Sequence, residues 1–149
     1  MRLAVAALLL AAAQALAHNH EKGDIQIRHP WSRATPPGAK VAAGYMEIRN
    51  VGSQPDRLLS VTSAAAQRVE MHVTQRDGEV MKMRQVQAFE IPARERTTLR
   101  PGGSHLMLVD LAQPLEKGAR FVMKLRFERA GELEVEVEVQ EIGSRHPRH

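Results

Sequence analysis

Residues 132–142 read ELEVEVEVQEI, and the alternation inside them decides the fold class. Leu133, Val135, Val137 and Val139 fall on one side of an extended chain; Glu134, Glu136, Glu138 and Gln140 fall on the other. A period of two is that of a β-strand with one dry and one wet face. The glutamates therefore read as a solvated face and not as catalytic acids.

Working outward, the rest of the chain breaks into similar short segments separated by turn residues. They are IQIRH (25–29), GYMEIRN (44–50), RLLSVTS (57–63), RVEMHVT (68–74), VMKMRQVQAFEI (80–91), TTLRP (97–101), SHLMLVDL (104–111) and RFVMKLRFE (120–128). The prolines of PWSRATPPGAK (30–40) cannot donate to a ladder, so that stretch is expected as a loop. The small-residue patch SAAAQ is too short to stand as a helix. Aromatic content is only 3%, which leaves the core to aliphatic side chains. This pattern predicts one all-β domain, a sandwich or barrel.

The first seventeen residues, MRLAVAALLLAAAQALA, have the layout of a secretory leader: Arg2 near the terminus, an apolar run, and Ala15-Leu16-Ala17 as a small-x-small cleavage site. Gln14 interrupts the run, which falls short of the roughly 20 apolar residues of a spanning helix. The expected organisation is a leader over 1–17, a flexible histidine-containing segment over 18–24, one domain over 25–142, and a disordered basic tail over 143–149. Losing Arg2 takes one from the 21 Lys and Arg that stand against 17 Asp and Glu, so the surplus is mild and interleaved, unlike a nucleic-acid module. There is no cysteine, which removes disulfides, thiolate chemistry and a lipid-modified cysteine together. Export to the periplasm as a soluble monomer, without membrane insertion, is the expectation.

The segment MHVTQRDGEVMKMR (71–84) holds three of the seven methionines beside a histidine. Asp77-Gly78 is a dipeptide favoured in a two-residue hairpin loop of type I′. With Arg76 and Glu79 flanking that loop, His72 would face Met83 directly, Met81 would share their face, and Met71 and Lys82 would point the other way. In PGGSHLMLVDL (101–111), His105 and Met107 share a face, Leu106 and Leu108 point to the core, and Pro101-Gly102-Gly103 supplies a tight loop. Thioether sulfur is a neutral, soft donor suited to Cu(I), and imidazole complements it. A blue-copper centre would need a cysteine thiolate. Taken singly, each of these residues reads as structural, since methionine fills irregular cores; the hairpin and the His-x-Met pair weigh against that. Met46 and Met123 lie outside both elements and read as core.

His72, Met83, His105 and Met107 match the H-x10-M-x21-H-x-M pattern of the PCuAC (formerly DUF461) periplasmic copper chaperones, and the surrounding AAGYMEIRN, VEMH, DGEVMKMR and LRPGGSHLMLVDL also resemble that family. The likeness runs from about Ile25 to Gln140. It implies a cupredoxin-like Greek-key β-sandwich or barrel with a Cu(I) site formed by His72, Met83, His105 and Met107; the hairpin reading adds Met81, on the same face as Met83, lining or backing that site. It also implies delivery toward the CuA centre of cytochrome c oxidase, with a Sco-type thiol protein as a further partner. Ser104 departs from the bulky residue expected after the two glycines.

Cleavage after Ala17 would put His18 at the new terminus and His20 third from a free amine, an arrangement that can wrap Cu(II) in square-planar nitrogen donors. This gives the rival reading of a copper-buffering protein. An exported sandwich that binds protein or glycan is a further rival, and it lacks the exposed aromatics that it would use. No Ser/His/Asp spacing points to an enzyme. His146 and His149 read as part of a solvated tail, and His29 as structural or solvent-facing.

Overall fold

The computed structural model describes residues 19–148. Residues 1–18, with the expected leader and His18, and His149 lie outside them. Eleven strands follow in order: β1 (Asn19–Lys22), β2 (Ile25–Arg33), β3 (Val41–Asn50), β4 (Asp56–Ser63), β5 (Ala66–Asp77), β6 (Val80–Val86), β7 (Phe89–Ile91), β8 (Arg96–Leu99), β9 (His105–Leu111), β10 (Arg120–Phe127) and β11 (Gly131–Gln140). Seven of them, in the order β2-β11-β10-β4-β5-β9-β3, close into a barrel through the β2–β3 pair. β2 and β11 run parallel; the other pairs are antiparallel. Non-consecutive strands lie side by side, as Greek-key connections require. No α-helix occurs among the described residues.

The alternation in β11 does what the sequence predicts. Val135, Val137 and Val139 are buried with Met123, Leu125 and Phe127 of β10 in the common core. On the outer face Arg120 stands opposite Glu138, Lys124 opposite Glu134 and Arg126 opposite Glu132, so each cross-strand pair joins opposite charges. Arg120 also donates to Glu136 at 2.6 Å. Met46, Met71 and Met123 all belong to the core. At the far end of this wall the buried Asp56 carboxylate accepts from the backbone N–H groups of Arg57, Arg129 and Ala130 at 2.7, 2.8 and 3.0 Å, tying the β10–β11 turn to β4.

Several expectations need correction. β2 continues through Pro30 to Arg33, into the stretch expected as a loop. Its register against β3 shifts between Arg28 and Trp31, and His29 adopts φ of 50° there. A bulge leaves a residue out of the ladder, which is where a strand tolerates proline. Residues 19–22, expected to be flexible, form β1 against β2. The segment 80–91 splits, with β6 on β5 and β7 on β4. The tail, expected to be disordered, folds back: Arg33 Nε donates to the Ser144 carbonyl at 2.7 Å. Gln140, placed on the wet face by alternation, is buried beneath this tail; assigning its amide from the surrounding donors and acceptors turns the nitrogen to the His146 carbonyl (3.0 Å) and the oxygen to Arg148 N (2.8 Å).

Candidate metal centre

β5 lies between β6 and β9, and one face of these three strands carries His72, Met81, Met83, His105 and Met107, while Met71 points into the core. His72 stands directly opposite His105, and Glu70 opposite Met107. Across the hairpin, Thr74 faces Met83 and Arg76 faces Met81. The direct His72–Met83 pairing is therefore not formed: His72 faces Gln85, and Met83 is its diagonal neighbour.

The cause is the turn. Asp77 pairs with Val80, which leaves Gly78-Glu79 as the loop. Gly78 has φ of 64° while neither Asp77 nor Glu79 has a positive φ, the pattern of a type II′ turn with glycine first. Only one left-handed residue is needed, and glycine adopts it without steric cost. Asp77 instead pairs with Lys82 Nζ at 3.2 Å. The register moves by two residues, and because side chains alternate with period two, Met81 and Met83 stay on the face of His72 while Met71 stays in the core.

The two imidazoles sit with ring centroids 5.5 Å apart, inclined at 46°. His105 is buried, and its Nδ1 lies 3.0 Å from the Gly103 carbonyl oxygen. A carbonyl only accepts, so Nδ1 carries the proton and Nε2 keeps its lone pair, the tautomer that suits a metal ligand. The carbonyl is presented by a tight turn in which Gly103 N donates to the Arg100 carbonyl at 3.0 Å and Gly102 takes φ of 80°. Proline second and glycine third is the type II pattern. Thr74 Oγ1 donates to the same carbonyl at 3.1 Å, locking the turn to β5.

His72 is the reverse case. Both of its ring nitrogens are buried without a hydrogen-bond partner. Glu70 Oε1 stands 3.5 Å from its Nε2 without making a hydrogen bond. Buried polar atoms are rarely left unmet, and a metal ion is one way to meet them. The sulfurs divide sharply: Met83 is 60% and Met81 55% exposed, while Met123 is fully buried. Exposed thioethers cannot be core filler, and Met107 is half-buried beside them. Among the described residues no three His, Cys, Asp or Glu side chains gather around one point. A metal held here would draw on sulfur, and two imidazoles with thioethers fit a soft monovalent ion.

Glu70, Thr74 and Gly103 are parts of this arrangement that motif reasoning missed. Glu70 and Thr74 lie two residues either side of His72 on a strand, so the period of two already placed them on its face. At the other end of the chain, His20 sits in β1 opposite Ile27, and its Nε2 accepts from Glu136 N at 3.3 Å. The β1 backbone is engaged in a ladder that a Cu(II)–amide chelate would have to open.

Residues 25–139 match the LpqE-like lipoprotein family. A protein of Leifsonia xyli subsp. xyli described as a lipoprotein, Lxx21020, is 34% identical over 119 residues, covering 78% of this chain and 70% of that protein. Among solved structures, the copper-bound PCuAC domain of PmoF2 is 35% identical with a TM-score of 0.73, covering 83% of this chain and 98% of its own. The Cu(I) form of DR1885 from Deinococcus radiodurans is 28% identical with a TM-score of 0.65, covering 88% and 86%. The chain belongs to the LpqE-like family and has the cupredoxin-like fold of the PCuAC domains.

Proposed function

We propose that this chain is an exported copper carrier, not an enzyme, that binds one Cu(I) through His72, Met83, His105 and Met107, with Met81 beside them. The observation that carries the reading is the direct opposition of His72, whose nitrogens are unmet, and His105, whose tautomer is fixed by Gly103. The copper-bound state of PmoF2 and the Cu(I) state of DR1885 support copper as the cargo. Two neutral imidazoles and two neutral thioethers leave the charge of Cu(I) uncompensated, so each bond is weaker than a thiolate bond and exchanges more readily. The division of labour follows from exposure. The histidines are held by the barrel, while Met83 projects from the hairpin where an acceptor's ligand can replace its sulfur. A periplasmic acceptor such as a CuA centre, or a Sco-type thiol protein, would supply stronger thiolate ligands and draw the ion away.

The leader-like 1–17 segment and the lipoprotein relative support export. No helix of the described residues is long and apolar enough to cross a membrane. The test is an anaerobic titration of the protein with Cu(I) against a chromophoric chelator, comparing wild type with His105→Ala. One tight equivalent that weakens greatly in the variant is the expected result. Failure of the wild type to compete would leave the histidines and methionines without a metal role.

A further inference from the structure

We propose that the cavity between β2, β3, β8 and the folded-back tail binds a small organic anion carrying an apolar body, independently of copper. The cavity measures about 690 Å³, and none of His72, Met83, His105 and Met107 lines it, although Arg100 and Pro101 of the turn before His105 do. That volume is within the roughly 300–1,000 Å³ of small-molecule sites. Trp31, Met46 and Leu99 supply an apolar lining, and Arg33, Arg100 and Arg145 supply positive charge. Glu47 is the one carboxylate in the lining, and Arg96 stands 3.7 Å from it, so its charge is already offset. Three arginines against one offset carboxylate leave the lining net positive, with His29 and His146 as its other ring-nitrogen groups. Such a lining attracts a carboxylate or phosphate, for which the arginine fork is the matched partner.

Two features mark the cavity as built. His29 lines it from the β2 bulge, holding φ of 50° and a buried Nδ1 without a partner, two unfavourable terms at one residue. Strained backbone and unmet polar groups gather where a fold keeps them for use, and bulges re-aim side chains at such places. The second is the tail, which the Arg33–Ser144 bond and the Gln140 amide hold against the barrel so that Arg145 and Pro147 complete the lining. An apolar lining alone would take any greasy fragment, and arginines on an open surface would take any ion. Together they select an anion with an apolar body.

Trp31 is the sole tryptophan, so its indole N–H gives a single resonance from a residue that lines this cavity. The experiment titrates copper-free full-length protein with benzoate, benzamide and inorganic phosphate while following that resonance. Saturable benzoate binding in about the millimolar range is expected, with the other two weaker by about tenfold or more. Arg145→Ala should weaken benzoate about fivefold or more by removing one charged partner. Arg57→Ala, on β4 outside the cavity, where the guanidinium pairs with Glu90 at 2.9 Å, should leave it unchanged. Equal binding of benzamide would reduce the site to an apolar hole, and equal binding of phosphate would reduce it to surface charge. Either result, absence of saturation, or an unaffected Arg145→Ala, overturns the proposal.

Discussion

The β10–β11 wall and the β5–β6–β9 face are both made of alternating strands, and they treat their outer positions in opposite ways. Along the wall every outward Arg or Lys meets a Glu across the ladder, and every inward Val, Leu, Met or Phe enters the core or packs against it. Along the face, Met81 and Met83 stand in solvent, and the His72 nitrogens have no hydrogen-bond partner. The wall sets opposite charges across its outer ladder and buries apolar side chains on its inner face, which contributes stability. The face leaves soft donors unmet, which adds nothing to stability and is the condition for taking up an ion.

That contrast can be broken most forcefully at a methionine of each kind. Met123 is fully buried opposite Val135, and its Cε approaches within 2.8 Å of where a Gly44 Cβ would stand. Met123→Ala should cost about 2–5 kcal/mol, read as a lower urea midpoint at unchanged slope. A loss well under that range would mean that the barrel collapses around the hole. Met83→Leu should do the reverse. Its stability should stay within about 0.5 kcal/mol of wild type, since the side chain lies in solvent. Its Cu(I) affinity should fall by more than about tenfold, the lower end of what even an outer partner of a ligand costs. Equal copper affinity in this variant would move the sulfur role to Met81.

The smallest effect concerns pH at the seam between the two regions. Burial pushes the Tyr45 hydroxyl above its ordinary value of 10.0, against the opposing pull of Arg33. A raised acid favours its protonated form in the folded state, so this contribution is complete below the unfolded value and is lost as pH rises through the folded one. Tyr45→Phe should therefore flatten the decline of stability above pH 10, measured by denaturation at stepped alkaline pH. An unchanged alkaline limb would assign the decline to other groups.

Most of this face could be read without coordinates, for a specific reason. The hairpin register was expected two residues from where it lies, yet His72, Met81 and Met83 still share a face, because a shift of two preserves the side on which every residue points. A shift of one would have reversed it. The exact opposition of His72 was not legible, since Asp-Gly and Gly-Glu are both acceptable loops and only the pairing of the full strands chooses between them. The strand character of residues 30–33 was hidden by Pro30, which local rules exclude from a ladder but a bulge admits.

By itself, the sequence determined the period-two alternation of β11, the division of methionines between core and surface, the four-residue His/Met spacing, and the absence of any thiol. These are properties of residue type and parity, and they survive errors of register. The tertiary structure decided that His72 opposes His105, that Gly103 fixes the His105 tautomer with Thr74 bracing it, and that the tail closes a cavity over Trp31. Each joins strands or turns far apart in the chain, and closure of the barrel sets their distances, which no local preference encodes.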